Sequence, residues 1–102
     1  MELTGKCREE FEKWYLQWVF NEKTFLSLRF NSEQILQNCN SLHPSEKYGV
    51  YVDFFDSVGI NSSSFSHYEF YKCNLDNTLF HTRSEARLLA IEKANKIYNN
   101  AH

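Results

Sequence analysis

The stretch Tyr48–Gly59, YGVYVDFFDSVG, decides the fold, because its residue types and its periodicity favour different structures. Valine, tyrosine and phenylalanine are enriched in strands, so composition alone favours a strand. A strand would place Asp53 between Tyr51 and Phe55 on one face. A helix instead gathers the apolar side chains on one continuous arc and leaves Asp53 on the opposite arc. The periodicity therefore predicts a helix.

Both ends of this helix carry local signals. Pro44 can occupy the first turn, where the missing amide proton costs nothing. Gly59 suits a left-handed cap at the end of the helix, and Ile60 is the hydrophobic residue that follows such caps.

Two further amphipathic helices are predicted, one from about Gly5 to Phe20 with Thr4 as its N-cap, and one over Thr82–Tyr98. In the second, Thr82 and Glu85 have the spacing of a capping box. Apolar residues recur in both at the spacing of one helix face. The predicted arc of the first helix contains Cys7, Phe11, Trp14, Tyr15, Trp18 and Val19. The predicted arc of the second contains Ala86, Leu89, Ala90, Ile91, Ala94, Ile97 and Tyr98.

Between the second and third helices, the residue types favour short antiparallel strands. Phe65–Cys73 is rich in aromatic residues, and Thr78–His81 returns after a turn at Asn74–Asn77. Ile60 could begin a further brief strand.

Residues 21–43 have the least regular pattern. Alternation over Leu26–Phe30 allows a short strand, Ser32 could cap a short helix with Ile35, Leu36 and Cys39, and residues 38–41 favour a loop. Together these elements predict an α+β fold in which three amphipathic helices pack on a small two- or three-stranded antiparallel sheet, in the order α-α-β-β-β-α. One globular domain is expected to span residues 1–102.

Composition and charge exclude several classes of function. The net charge is −2 and no five consecutive residues carry like charges, which disfavours nonspecific binding to nucleic acid or anionic membrane. No apolar run approaches the ~20 residues of a membrane span. The three cysteines are Cys7, Cys39 and Cys73, an odd number without a CxxC pair, as is typical of reduced thiols. We therefore expect a cytoplasmic protein.

Metal ligands are present without the spacing of a metal site. Cys39 and His43 lie four apart, and His67, Cys73 and His81 lie on or beside the predicted strands. Closed zinc sites normally show paired ligands at tight spacing, so we assign no metal ligand.

Catalytic patterns are equally weak. Asp53 and Asp56, with Glu46 two turns earlier on the same arc, could share a proton or hold magnesium, but a solvated helix face explains them better. Cys7 lies on an apolar arc, where a cysteine behaves as a small hydrophobe. We assign no catalytic and no cofactor-binding residue and expect no cofactor.

Three segments, Leu3–Tyr15, Lys47–Ile60 and Thr82–Asn100, resemble small proteins encoded by phages and prophages of Bacteroidetes bacteria. This resemblance implies a bacterial cytoplasmic setting and a phage accessory role, and it lends no catalytic residue.

The expected function is non-enzymatic binding to a host or phage protein, because aromatic residues make up 17% of the chain and suit interfaces as well as cores. Leu88, in the middle of a polar arc, is a candidate contact residue. The alternative is a small nucleic-acid-associated protein with an α-β-β-β-α arrangement loosely like a double-stranded-RNA-binding domain, using Arg83 and Arg87. Self-association through an aromatic face is compatible with either function.

Overall fold

The computed structural model describes residues 2–21, 30–60, 62, 64–67, 70–73, 76–80 and 82–101, and of the strands it describes the backbone. The elements in chain order are α1 Gly5–Asn21, α2 Ser32–Asn40, α3 Pro44–Ser57, β1 Ser64–His67, β2 Phe70–Cys73, β3 Asp76–Phe80 and α4 Arg83–Ala101.

The start of α3 confirms that periodicity outweighs strand propensity in this segment. Pro44 stands in the first turn, as predicted. The N-cap is His43, whose Nδ1 accepts a hydrogen bond from the backbone amide of Ser45 at 3.2 Å. An imidazole thereby satisfies one of the amides that a helix start leaves free.

The predicted cap at the end of α3 is confirmed as well. Gly59 has a φ of +82°, in the left-handed region that favours glycine. Its amide donates to the carbonyl of Asp56 at 3.2 Å, and the amide of Ile60 donates to the carbonyl of Phe55 at 2.8 Å. These two bonds form a Schellman motif, which satisfies carbonyls that the helix end would otherwise leave free. Ile60 follows this cap, so the brief strand predicted there is wrong.

The centre of the core is a group of aromatic rings from α1, α3 and α4. Phe11 meets Tyr51 at 5.0 Å between ring centroids and Phe54 at 5.5 Å, both edge-on. Tyr98 of α4 lies 5.9 Å from Phe54. Edge-to-face contacts of this kind stabilise a core beyond the area they bury. The remaining large buried side chains of the cluster are Leu3, Tyr15, Val19, Ile35, Tyr48, Phe55 and Ile91.

The N-cap of the helix α2 lies one residue earlier in the chain than predicted. Its cap is Asn31 and not Ser32: Asn31 Oδ1 accepts from the amide of Gln34 at 2.9 Å, and Gln34 Oε1 accepts from the amide of Asn31 at 3.0 Å. This capping box fixes the helix start.

The same helix extends through Asn40, so the loop predicted over residues 38–41 is wrong for residues 38–40, and Ser41 lies beyond the helix as its C-cap. Ile35 and Cys39 are buried on its inner face. The strand predicted over Leu26–Phe30 falls mainly on residues outside the described ranges.

Two asparagines of α4 hold the start of α1. The amide of Cys7 donates to Asn99 Oδ1 at 2.8 Å, and Asn99 Nδ2 donates to the carbonyl of Thr4 at 3.0 Å. The amide of Thr4 donates to Asn95 Oδ1 at 2.9 Å, and its hydroxyl accepts from Asn95 Nδ2 at 3.0 Å. Thr4 therefore occupies the predicted N-cap position, but the side chain that satisfies the third amide of the helix comes from Asn99, across the fold.

Gly5 allows this close approach. Its φ is +58°, and a Cβ added there would lie 3.3 Å from Asn99 Oδ1. A side chain at this position would be strained and would press on the asparagine that caps α1.

The helix α4 begins at Arg83, and the hydroxyl of Thr82 accepts from the amide of Glu85 at 3.2 Å, as the capping-box spacing predicts. Five members of its predicted arc are buried: Ala86, Ala90, Ile91, Ala94 and Tyr98. The prediction is wrong for Ile97, which belongs to the predicted apolar arc but is 43% exposed.

The strands pair antiparallel in the order β1-β2-β3. The register of β1 and β2 runs from Ser64 opposite Cys73 to His67 opposite Phe70. The pairing of β2 with β3 is irregular between Tyr71 and Cys73.

The bounds of these strands differ from the prediction. Phe65–Cys73, predicted as one strand, is divided between β1 and β2, and Asp76, predicted within a turn, begins β3. The strands lie against α4.

The predicted fold class is wrong. The sequence predicts an α+β layer of three helices on one sheet face, whereas four described helices pack on one another, and the described hydrophobic core consists of their side chains together with Leu3. The molecule is therefore a helical domain, in which α2 contributes core residues that the predicted architecture did not include.

Candidate functional site

The C-terminal half of α1 leaves large aromatic side chains exposed. Trp18 is 45% exposed and Phe20 is 43% exposed, although Trp18 belongs to the predicted apolar arc. We call Trp14, Trp18 and Phe20 the aromatic end of α1. The exposure of Trp18 corrects the prediction, and no signal in the sequence distinguishes it from Trp14 one turn earlier.

The exposed indole is held in place by its neighbours. The rings of Trp14 and Trp18 are nearly parallel, at 8°, with centroids 6.4 Å apart, and Tyr15 lies 6.0 Å from Trp18. Trp14 in turn packs on Phe54 of the core at 5.6 Å. This chain of ring contacts links the exposed indole to the core, so binding through it would cost little side-chain entropy.

The aromatic end is also free of charge along the chain. Residues 14–21, WYLQWVFN, contain no charged side chain, whereas residues 6–13, KCREEFEK, contain six. Depletion of charge around exposed tryptophan is typical of the centre of a protein interface.

Cys7 and Cys39, the two cysteines whose side chains are described, are unsuited to nucleophilic chemistry. Both are buried, and burial raises the pKa of the Cys7 thiol to about 11. Burial also raises the pKa of Cys39, outweighing the opposing effect of the Lys47 charge and the Tyr15 hydrogen bond. Thiols with raised pKa values stay protonated at neutral pH and are poor nucleophiles.

The candidate metal ligands are not brought together in the described part of the chain. Among the described residues, no group of three or more histidine, cysteine or acidic side chains could hold a metal ion. His43 caps α3, and Cys39 lies in the core. The register places His67 and Cys73 at opposite ends of the β1–β2 pair, and His81 lies outside the described residues.

The paired carboxylates lie on the outside of α3. Glu46, Asp53 and Asp56 are all exposed, on the arc that the periodicity predicts to face solvent. Their placement agrees with the interpretation of a solvated helix face.

The two arginines of the nucleic-acid hypothesis do not form an open cationic surface. The guanidinium of Arg87 lies over the ring of Tyr48, with 4.9 Å from Cζ to the centroid, and its Nε is buried without a hydrogen-bond partner among the described residues. The Tyr48 hydroxyl donates to the carbonyl of Ser62 at 2.9 Å, which holds the ring in place. Arg87 therefore packs against the protein as a cation–π partner, and only Arg83 is exposed.

Leu88 is 40% exposed on the polar face of α4, as predicted. It does not share a patch with the exposed Ile97, because nine residues at 100° each place the two on opposite sides of the helix.

A cavity of about 180 Å³ lies beside the N-terminal half of α1. Its walls come from the residues that precede α1, from α1 itself, from α2 and from Tyr51 of α3. Sequence patterns gave no sign of it, since four separate segments build it.

Comparison with known proteins does not identify the chain: no protein-family model, curated protein or solved structure matches it. The resemblance to phage-encoded proteins thus stays a prediction. Within the described ranges, no helix has both the length and the hydropathy that crossing a bilayer would require.

Proposed function

We propose that this chain is a non-enzymatic binding domain that contacts another protein through the aromatic end of α1. The observation that carries the proposal is Trp18, which is 45% exposed and stacked on Trp14. Tryptophan is the residue type most enriched among the residues that dominate binding energy at interfaces. Its ring is ordered before binding, so less entropy is lost on association.

The partner that suits this surface has an apolar groove or pocket wide enough for an indole. The uncharged sequence of residues 14–21 disfavours a strongly charged partner, because unpaired charges buried against it would be costly. We further propose that the partner is a host or phage protein in a bacterial cytoplasm. This part of the proposal rests on the resemblance to phage-encoded proteins alone.

The test is quantitative capture of partners by three versions of the protein: wild type, Trp18→Ala and Leu88→Ala. Leu88→Ala is the matched control, because Leu88 is similarly exposed but lies on α4. A true partner is expected to bind wild type and Leu88→Ala equally and to bind Trp18→Ala at least tenfold more weakly, as for an interface residue worth about 2 kcal/mol. Circular dichroism must show that Trp18→Ala remains folded.

Capture that is equal for Trp18→Ala and wild type would contradict the proposal. Sedimentation of the same three proteins extends the test to a second copy of this chain. If wild type forms a dimer that Trp18→Ala does not form, the partner is the chain itself.

A further inference from the structure

The start of α3 depends on a histidine side chain. The carbonyl of His43 accepts from the amide of Lys47 at 2.9 Å, and its Nδ1 accepts from the amide of Ser45 at 3.2 Å. Pro44 has no amide proton, so Ser45 provides the first amide of the helix. Of the described side chains, only His43 accepts a hydrogen bond from an amide of this first turn. The capping of α3 therefore depends on one ring nitrogen.

This nitrogen is an acceptor in only one protonation state of the ring. An imidazole nitrogen accepts a hydrogen bond when it carries no proton, so the bond to Ser45 requires the neutral ring with its proton on Nε2. A second proton binds at Nδ1, which then becomes a donor and can no longer accept from the amide. The ring also gains a positive charge at the helix end where the backbone dipoles are positive. Protonation of His43 thus removes a bond and adds a repulsion at the same place.

The other described helix starts are capped by groups that do not titrate near neutral pH. The acceptor is Asn99 at α1, Asn31 at α2 and Thr82 at α4. Carboxamides and hydroxyls keep their form between pH 5 and 8, whereas histidine changes its charge in this range. Among the helices in the described ranges, α3 is therefore the one whose start can respond to a modest fall in pH.

The charged groups around His43 do not offset the added charge. His43 is exposed, so its ring exchanges protons with solvent. Glu46 of the same turn would attract the protonated ring and Lys47 would repel it, so these two oppose each other. Residues 34–42, which include most of α2, contain no charged side chain. No described side chain of α1 or α4 forms an ion pair with His43.

We propose that His43 is an acid-sensitive switch at the start of α3: protonation of its imidazole frees the Ser45 amide and loosens the first turn. Tyr48, the first buried residue of α3, follows directly on this turn. Its hydroxyl donates to the carbonyl of Ser62, and its ring lies under the guanidinium of Arg87 in α4. A loosened first turn therefore reaches a contact between α3 and α4. The switch is separate from the aromatic end of α1 and does not depend on the proposed function.

The test compares wild type with His43→Asn, because asparagine is among the best N-cap residues and does not titrate. Urea denaturation of both proteins at pH 8 and at pH 5 gives an unfolding equilibrium constant for each. The ratio of the wild-type constant to the variant constant cancels the effects of titrating groups that the two proteins share. We expect this ratio to rise about fivefold at the lower pH, as for the loss of a typical N-cap. An unchanged ratio would overturn the proposal.

Hydrogen exchange shows whether the effect lies at the predicted turn. The amide of Gln34, which Asn31 caps, is a matched reference within the same protein. Exchange at Ser45 relative to Gln34, each corrected for the rate of an unstructured peptide at that pH, should quicken about fivefold between pH 8 and pH 5 in wild type. In His43→Asn it should stay constant. Constant relative exchange in wild type, or an equal increase in both proteins, would contradict the switch.

Discussion

The two halves of α1 differ in what surrounds them. In the first half, the amide of Cys7 is bound by Asn99, and the ring of Phe11 lies against Tyr51 and Phe54. In the second half, Trp18 has ring contacts with Trp14 and Tyr15, which belong to the same helix, and is 45% exposed.

This difference shows that neighbours, and not residue type, decide which aromatic side chains are buried. Phe11 and Trp18 belong to the same predicted apolar arc, and only Phe11 meets the centre of α3. Both halves therefore contribute to the core, the second through Tyr15 and Val19, but only the second half also leaves large aromatic surface for contact. This difference between the two halves of α1 can be tested by perturbing the buried contacts and the exposed aromatic end separately.

The largest effect is expected from Phe54→Ala, at the point where the rings of the core converge. Phe54 is fully buried, so the change should lower the free energy of unfolding by about 3–5 kcal/mol. Trp18→Ala should lower it by about 1 kcal/mol or less, since the ring is half-exposed and its ring contacts within the described residues are with Trp14 and Tyr15 of the same helix. Urea denaturation of both variants measures the contrast, and equal losses would show that the aromatic end is part of the core.

The second-largest effect is expected from raising the pH, because the Cys7 thiol is buried in the first half of α1. Raising the pH should lower the free energy of unfolding. The folded pKa of Cys7 is raised from 9.0 to about 11, so between these values the unfolded chain releases a proton that the folded chain keeps. Stability is therefore unaffected by this group below pH 9 and falls as pH rises to 11, by roughly 3 kcal/mol in total.

Between pH 9 and 10 the ionisation of unfolded cysteine dominates this loss, because tyrosine in the unfolded chain ionises only near pH 10. Burial raises the pKa of Cys39 too, so it adds to the same slope. Cys7→Ala should reduce the dependence of unfolding free energy on pH in this window. An unchanged slope in denaturation curves would show that the Cys7 thiol ionises as readily in the folded chain as in the unfolded one.

The smallest of the three effects is expected from Asn99→Ala, which removes the cap at the start of α1. Loss of the bonds to Cys7 and Thr4 should cost about 1–2 kcal/mol. The neighbouring Asn100 is exposed, so Asn100→Ala should change stability by less than about 0.5 kcal/mol. Hydrogen exchange at the Cys7 amide should quicken in Asn99→Ala alone; equal exchange in both variants would contradict the assigned cap.

Features set by neighbouring residues were predicted from the sequence. The helix over Tyr48–Val58 and the cap at Gly59 depend on periodicity and on bonds within five residues, and both are confirmed. The sequence predicts the helix at Ser32–Asn40 only as one alternative, because its nine residues offer three apolar positions. Its capping box joins Asn31 and Gln34, one residue before the predicted cap at Ser32.

Features that depend on distant contacts were not predicted. The bond between Cys7 and Asn99 spans 92 positions, and Asn99 lies outside the predicted apolar arc of α4. The cavity needs four segments to meet beside Tyr51. The fold class was wrong for a related reason, because the packing of the four described helices on one another depends on contacts between distant segments.

The bond between Asn99 and the Cys7 amide has a consequence for synthesis on the ribosome. The first turn of α1 is translated before α4, and its capping side chain follows 92 positions later. Until then the nascent α1 holds free amides and an aromatic face without its partner, a state that favours chaperone binding. The first turn of α1 can therefore be capped only after α4 has been translated.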